Sequence, residues 1–115
     1  MRTLRQAATV PRGALPILRE CKRVLQGILP DATVLLYGSL ARGTAGPESD
    51  WDILILTDRP ISPAEEDKAR RAAYEMELEH DVVLSLLLYA RSEWDDPLHR
   101  AMPFHEEVER EGLVL

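Results

Sequence analysis

The sequence predicts a single α/β domain, a small sheet with helices packed against it. Three observations carry that prediction. Two segments show apolar or small residues at helical spacing, and one of them opens with a capping box. Three short runs are rich in β-branched and apolar residues, as strands are. Helices and strands alternate along the chain, and such alternation leaves a sheet covered by helices. At 115 residues the chain is of a size that builds one core without covalent staples, so residues 1–115 are expected to form one unit.

The elements follow in order. Residues 1–13, with Pro11 and Gly13, read as a loose lead-in with room for a helical turn. From Ala14 to Ile28, Leu15, Leu18, Cys21, Leu25 and Ile28 recur at helical spacing, and Gly27 and Pro30 end the helix. Thr33 to Tyr37 is a buried strand that runs straight into Gly38-Ser39. A loop with Gly43, Gly46 and Pro47 precedes a second strand, Asp50 to Thr57. Ser62-Pro63-Ala64-Glu65 then combines a capping box with proline at the first helical position. Ala69, Ala72, Ala73 and Met76 form the inner stripe of that helix. Asp81 to Tyr89 reads as the third strand, a polar stretch holds Pro97, and a last helix runs from near Pro103 to Glu111, stopped by Gly112. Any wider sheet requires a further short strand.

Composition narrows the function. With 45% hydrophobic and 30% charged residues the chain falls among ordinary soluble domains. The lone Cys21 excludes an internal disulfide and sits in an apolar helical pattern, as a packed thiol does. No signal sequence is recognisable, so a cytoplasmic location is expected. The run Val82 to Leu88, interrupted by Ser85, is too short to span a bilayer. A net charge of −6 argues against a dedicated nucleic-acid binder. The charge is uneven: Arg2, Arg5, Arg12, Arg19, Lys22 and Arg23 face only Glu20 in the first 23 residues. A solvated helix face with a frayed terminus explains this; a basic arm that meets RNA or an acidic partner is the alternative.

The informative segment runs from Gly38 to Asp52. A strand ends at Gly38 and the following residues can open a helix, so unpaired N–H groups and the helix dipole there attract anions. Glycine at 38 lets a phosphate approach the backbone, and the Ser39 hydroxyl adds a donor. Arg42 follows one turn later, where its guanidinium can grip a phosphate oxygen. Asp50 and Asp52, two apart at the start of a strand, project from one face with Cα atoms about 6–7 Å apart. Two carboxylates so placed repel unless a hard cation such as Mg²⁺ neutralises them. Trp51, Ile53 and Ile55 face the other side, while Leu54 and Leu56 continue the aspartate face into the core.

Taken singly, each part has an ordinary explanation: a turn, a solvated strand edge, a surface arginine. A P-loop does not fit, because Thr44 stands where that motif needs lysine. Metal sites built from Cys21, His80, His99 and His105 do not fit either, for want of ligand spacing.

Together the parts resemble the DNA polymerase beta-like nucleotidyltransferase superfamily, whose pattern is Gly-Ser, ten residues, then Asp-x-Asp. Here Gly38-Ser39 and Asp50-Trp51-Asp52 flank residues 40–49. The extended form, Gly38-Ser39-Leu40-Ala41-Arg42-Gly43 followed by Ser49-Asp50-Trp51-Asp52 and an apolar strand, is similar to the minimal nucleotidyltransferases of bacteria and archaea. The motif region covers about residues 33–57, and a weaker likeness continues through the third strand and the tail from Pro103.

The resemblance implies a mixed sheet of the polymerase beta palm-like type and transfer of a nucleoside monophosphate, AMP from ATP, to an acceptor hydroxyl. It implies that Asp50 and Asp52 ligate Mg²⁺, that Gly38 and Ser39 hold the triphosphate, and that Arg42 adds a phosphate contact. Active members add a third carboxylate from a neighbouring strand. Matching the strand ends puts Ser85 at that position, with Asp81 four residues away, roughly 13 Å along the strand. Asp81 then either serves as the third acid on an offset strand or caps the strand. The resemblance also implies a small helical HEPN-type protein as partner, in a toxin–antitoxin pair whose antitoxin adenylylates it or only masks it. Transfer to a small molecule is weaker, because no acceptor domain is visible, and a homo-oligomer remains open.

Overall fold

The capping box is the strongest local instruction in the chain, and the longest helix obeys it. In the computed structural model, which describes residues 2–3 and 9–115, the Glu65 N–H donates to Ser62 Oγ at 3.1 Å, and the Ser62 N–H donates to Glu65 Oε1 at 3.1 Å. Pro63 stands at the first helical position. Arg59 adds two bonds to the Glu65 carboxylate, at 3.1 and 2.7 Å. These donors hold the Glu65 carboxyl down at about 2, with the Arg59 hydrogen bond the largest cause.

The elements are β1 (Arg2–Thr3), a 3-10 turn (Arg12–Ala14), α1 (Leu15–Ile28), β2 (Thr33–Tyr37), α2 (Gly38–Arg42), β3 (Trp51–Thr57) and α3 (Pro63–His80). They continue as β4 (Leu84–Ala90), α4 (Arg91–Trp94), α5 (Pro97–Arg100), α6 (Pro103–Glu111) and β5 (Leu113–Val114). The five strands lie in the order β1-β5-β2-β3-β4. The sheet is mixed: β2 is antiparallel to β3 and β5, while β3–β4 and β1–β5 are parallel.

Alternation along the inner strands divides the core in two. Val34, Leu36, Ile53, Ile55, Leu84 and Leu86 face Leu18, Cys21 and Leu25 of α1 and Ala69, Ala73 and Met76 of α3. On the other face Leu35, Leu54 and Leu56 pack with Trp94 of α4 and Val108 of α6. Ala69 and Ala73 are the small buried residues by which α3 meets the sheet. Cys21 is fully buried, and burial pushes its thiol up to about 11, with Glu20 adding to the shift. It packs; it does not react.

Several boundaries differ from expectation, each for a local reason. The third strand begins at Leu84, not Asp81, because α3 continues to His80 and Asp81 closes it in the left-handed region with φ 53°. The second strand begins at Trp51, one residue after Asp50. The polar stretch around Pro97 forms two four-residue helices, each started from its own cap. The strands missing from the sequence reading are β1 and β5, two residues each, too short for any period to register. Residues 12–14 supply the expected helical turn, and Arg5 of the basic arm lies outside the described residues. Among the described residues, no helix is long and apolar enough to cross a membrane.

The capping box sets an expected cost. Ser62→Ala should lower unfolding free energy by about 1 kcal/mol, read as a shifted urea midpoint at unchanged slope.

Candidate active site

The sheet register assembles the site. Tyr37 at the end of β2 lies opposite Asp52, and Ser85 on β4 lies beside Asp52 on its other flank. All three share the face that continues inward as Leu35, Leu54 and Leu87. The chain leaves β2 at Gly38 with φ 76° and turns at once into the five residues of α2. A Cβ at Gly38 would stand 2.1 Å from Asp52 Oδ2. The carboxylate therefore lies directly against the Gly38 backbone, and both the positive φ and the close approach demand glycine.

Asp50 is exposed at the end of the preceding loop, and Asp52 is half-buried. The loop is folded on itself, with the Gly46 N–H donating to Ser49 Oγ at 2.9 Å and the Ser49 N–H donating to the Gly46 carbonyl at 3.1 Å. It is tied to the sheet where the Trp51 N–H donates to the Val83 carbonyl at 2.8 Å. Burial raises the Asp52 carboxyl above its usual value, and the neighbouring charge of Asp50 raises it further. Among the described residues, the charge of Arg42 opposes the rise.

Arg42 is not poised in open solvent. Its Nη1 donates to Glu111 Oε2 at 2.9 Å and lies 3.6 Å from Glu107 Oε1, both on α6. A phosphate would have to compete with these two acids. Tyr37 packs edge-on against Phe104 at 5.4 Å, and its hydroxyl is pushed up to about 12, first by burial and then by Asp52.

Ser39 is half-buried in the first turn of α2, with its carbonyl held by the Thr44 N–H at 2.9 Å. Asp81 lies outside β4, between α3 and the strand. It caps α3, its N–H donating to the Glu77 carbonyl, and lines a small hollow with Ser49, Trp51 and Val83. The observed pairing of Asp52 with Ser85 leaves the strand without offset.

The sequence reading missed Tyr37, Glu107 and Glu111. Tyr37 follows from alternation once β2 and β3 are paired, whereas nothing local links Arg42 to acids near residue 110. It also found no metal-ligand spacing for His80. The fold brings His80 together with Glu79 and with Glu20 of α1, their ligand atoms within 4.8 Å of one another. His80 and Glu20 already satisfy each other by a hydrogen bond.

The donor set of Asp50 and Asp52 is all oxygen and doubly anionic, and the two carboxylates raise each other's energy when both are charged. Such a set fits a hard divalent cation. Around it are a backbone without a Cβ and one arginine.

The nucleotidyltransferase domain model matches residues 18–109. A protein of Methanocaldococcus jannaschii, provisionally named a protein adenylyltransferase, is 34% identical over 101 residues, covering 86% of this chain and 95% of its own. This chain belongs to the nucleotidyltransferase domain family. A Haemophilus influenzae relative, provisionally named protein adenylyltransferase MntA, is 35% identical over 57 residues, half of each chain. A toxin–antitoxin crystal structure with AMP-PNP shares the fold at a TM-score of 0.59 and 19% identity, covering 84% of this chain and 69% of the other. The protein is thus a nucleotidyltransferase by family, and its paired aspartates stand where the fold leaves β2 and enters β3.

Two measurements probe this geometry. Gly38→Ala should destabilise the fold by about 1–3 kcal/mol and displace the Asp52 carboxylate, read by urea denaturation and by loss of any Mg²⁺-induced rise in Tm. Asp52→Asn should raise Tm at neutral pH without divalent ions, because it removes a carboxylate whose charged form is disfavoured. Since the folded-state value is raised, that gain should shrink as pH falls through it and vanish below about 4.

Proposed function

We infer that the protein moves AMP from ATP to a hydroxyl of a partner protein, as the antitoxin of a toxin–antitoxin pair whose toxin is a small helical HEPN-type protein. The carrying observation is the Asp52 carboxylate, desolvated against the Gly38 backbone and facing the charge of Asp50. A carboxylate pair in that state is disposed towards a divalent cation. The names of the two relatives favour adenylate transfer to protein, and AMP-PNP and a toxin occur with the fold neighbour.

On this reading Asp50 and Asp52 would hold Mg²⁺, which would stabilise charge on the attacking hydroxyl oxygen and on the pyrophosphate that leaves as the α–β bond of ATP breaks. The Gly38 backbone admits the triphosphate closely, and the Ser39 hydroxyl donates to it. Arg42 exchanges Glu111 for a phosphate oxygen, a swap between two anionic partners of one guanidinium. Of the two roles expected for Asp81, third acid or cap, this reading takes the cap, because Asp81 closes α3 in a left-handed turn.

A second reading has an observation of its own. The residue beside Asp52 on β4 is Ser85, which cannot take a proton from an acceptor hydroxyl at neutral pH. A weak or inactive nucleotide-binding antitoxin would then act by complex formation alone.

Intact-mass analysis of the protein with its partner, ATP and Mg²⁺ separates the two. One adenylate added to the partner is expected, falling by more than about a hundredfold in Asp50→Asn and Asp52→Asn, beyond the loss typical of residues that only support a metal ligand. Asp81→Asn should stay within about twofold; a collapse comparable to the other two would make it the third acid. A stable complex with no mass gain would sink the transfer reading and leave the masking antitoxin.

A further inference from the structure

The far end of β4 carries a second feature that the transfer site does not use. An open hollow of about 460 Å³ lies there, lined by Tyr89, His99, Leu98, Met102, Ser92, Glu93 and Asp96. Tyr89 is four residues from Ser85, the neighbour of Asp52, or roughly 13 Å along the strand.

Its groups are held in place. The Ala90 N–H donates to Glu93 Oε1 and the Leu98 N–H donates to Asp96 Oδ2, both at 3.1 Å, so each carboxylate is held by one oxygen. The rings of Tyr89 and His99 are 5.0 Å apart, and Trp94 backs His99 at 4.9 Å. The His99 ring is oriented by a bond from Nδ1 to the Trp94 carbonyl at 3.2 Å. Beside these fixed groups, Leu98 is 82% exposed and Met102 51% exposed, two of the few large apolar side chains left in solvent.

We propose that this hollow docks a basic, apolar-faced segment of a partner protein. An arginine or lysine head enters between Glu93 and Asp96 and over the Tyr89 and His99 rings, while apolar neighbours of that residue cover Leu98 and Met102. Fixed carboxylates beside aromatic rings recognise a guanidinium or ammonium with little ordering left to do. The same two charges exclude a nucleotide phosphate and an anionic lipid surface. The inference shares with the proposed function the reading that a partner protein is bound, and it is independent of transfer chemistry.

The test uses the full chain and no nucleotide. The probe is a fluorescein-labelled helical peptide of about 18 residues, with a leucine stripe flanked by arginines, beside a copy with glutamates in place of the arginines. Anisotropy is read at about 0.15 M salt, where diffuse attraction is screened beyond about 8 Å. The arginine peptide should bind and the glutamate peptide should not. Glu93→Gln with Asp96→Asn, which keeps both capping acceptors, should weaken binding at least about tenfold, and Leu98→Ser should weaken it too. Asp52→Asn should bind as the native protein does, which separates this surface from the transfer reading. Glu75→Gln with Glu79→Gln on α3 removes the same charge elsewhere and should leave binding unchanged. Absence of binding, equal loss from the α3 pair, or equal binding of the glutamate peptide overturns the proposal. A dimer of this chain that Leu98→Ser abolishes, with no peptide bound, overturns it in favour of self-association.

Discussion

The contact between the Asp52 carboxylate and the Gly38 backbone is the constraint on which the rest of the site depends. The antiparallel pairing of β2 with β3 puts Asp52 opposite Tyr37, so the residue after Tyr37 must pass beneath the carboxylate. A Cβ there would meet Asp52 Oδ2 at 2.1 Å and push the carboxylate aside. The positive φ that glycine allows also swings the chain straight into α2, and this carries Arg42 to where its charge is felt by Asp52. A single backbone position thus couples the register of two strands, the start of a helix and the electrostatics of the carboxylates.

That arrangement works against the stability of the fold. Asp52 is partly desolvated and faces a like charge, and the arginine that relieves it is shared with Glu107 and Glu111. The strain is tolerated because β3 is anchored on both faces. Ile53 and Ile55 lie under α1 and α3, and Leu54 and Leu56 lie against α4 and α6.

Much of the fold was legible because its instructions are local. The capping box at Ser62 and the apolar stripe from Leu15 to Ile28 each specify an element by contacts within a few residues. The split of β3 into an Ile face and a Leu face follows from a period of two and needs no partner. Boundaries slipped where competition is not local. Asp81-Val82-Val83 has a strand-like composition, yet Asp81 is spent on closing α3 in the left-handed region and the strand starts only at Leu84. The two-residue strands β1 and β5 form because β5 pairs with β2 and β1 pairs with β5, which no short window can express.

By itself the sequence determined the pairing of Gly38-Ser39 with Asp50 and Asp52, and hence the family and the candidate metal ligands. Glycine at a forced turn and carboxylates at alternate strand positions are chemistry written in residue type and spacing. Only the tertiary structure decided which groups surround them. It set Ser85 rather than Asp81 beside Asp52, tied Arg42 to Glu107 and Glu111, and gathered Tyr89, Glu93, Asp96 and Leu98 around one hollow. The physical reason is range: a turn or a cap is specified by neighbours in the chain, whereas strand register and helix docking are settled by burial summed over the whole core.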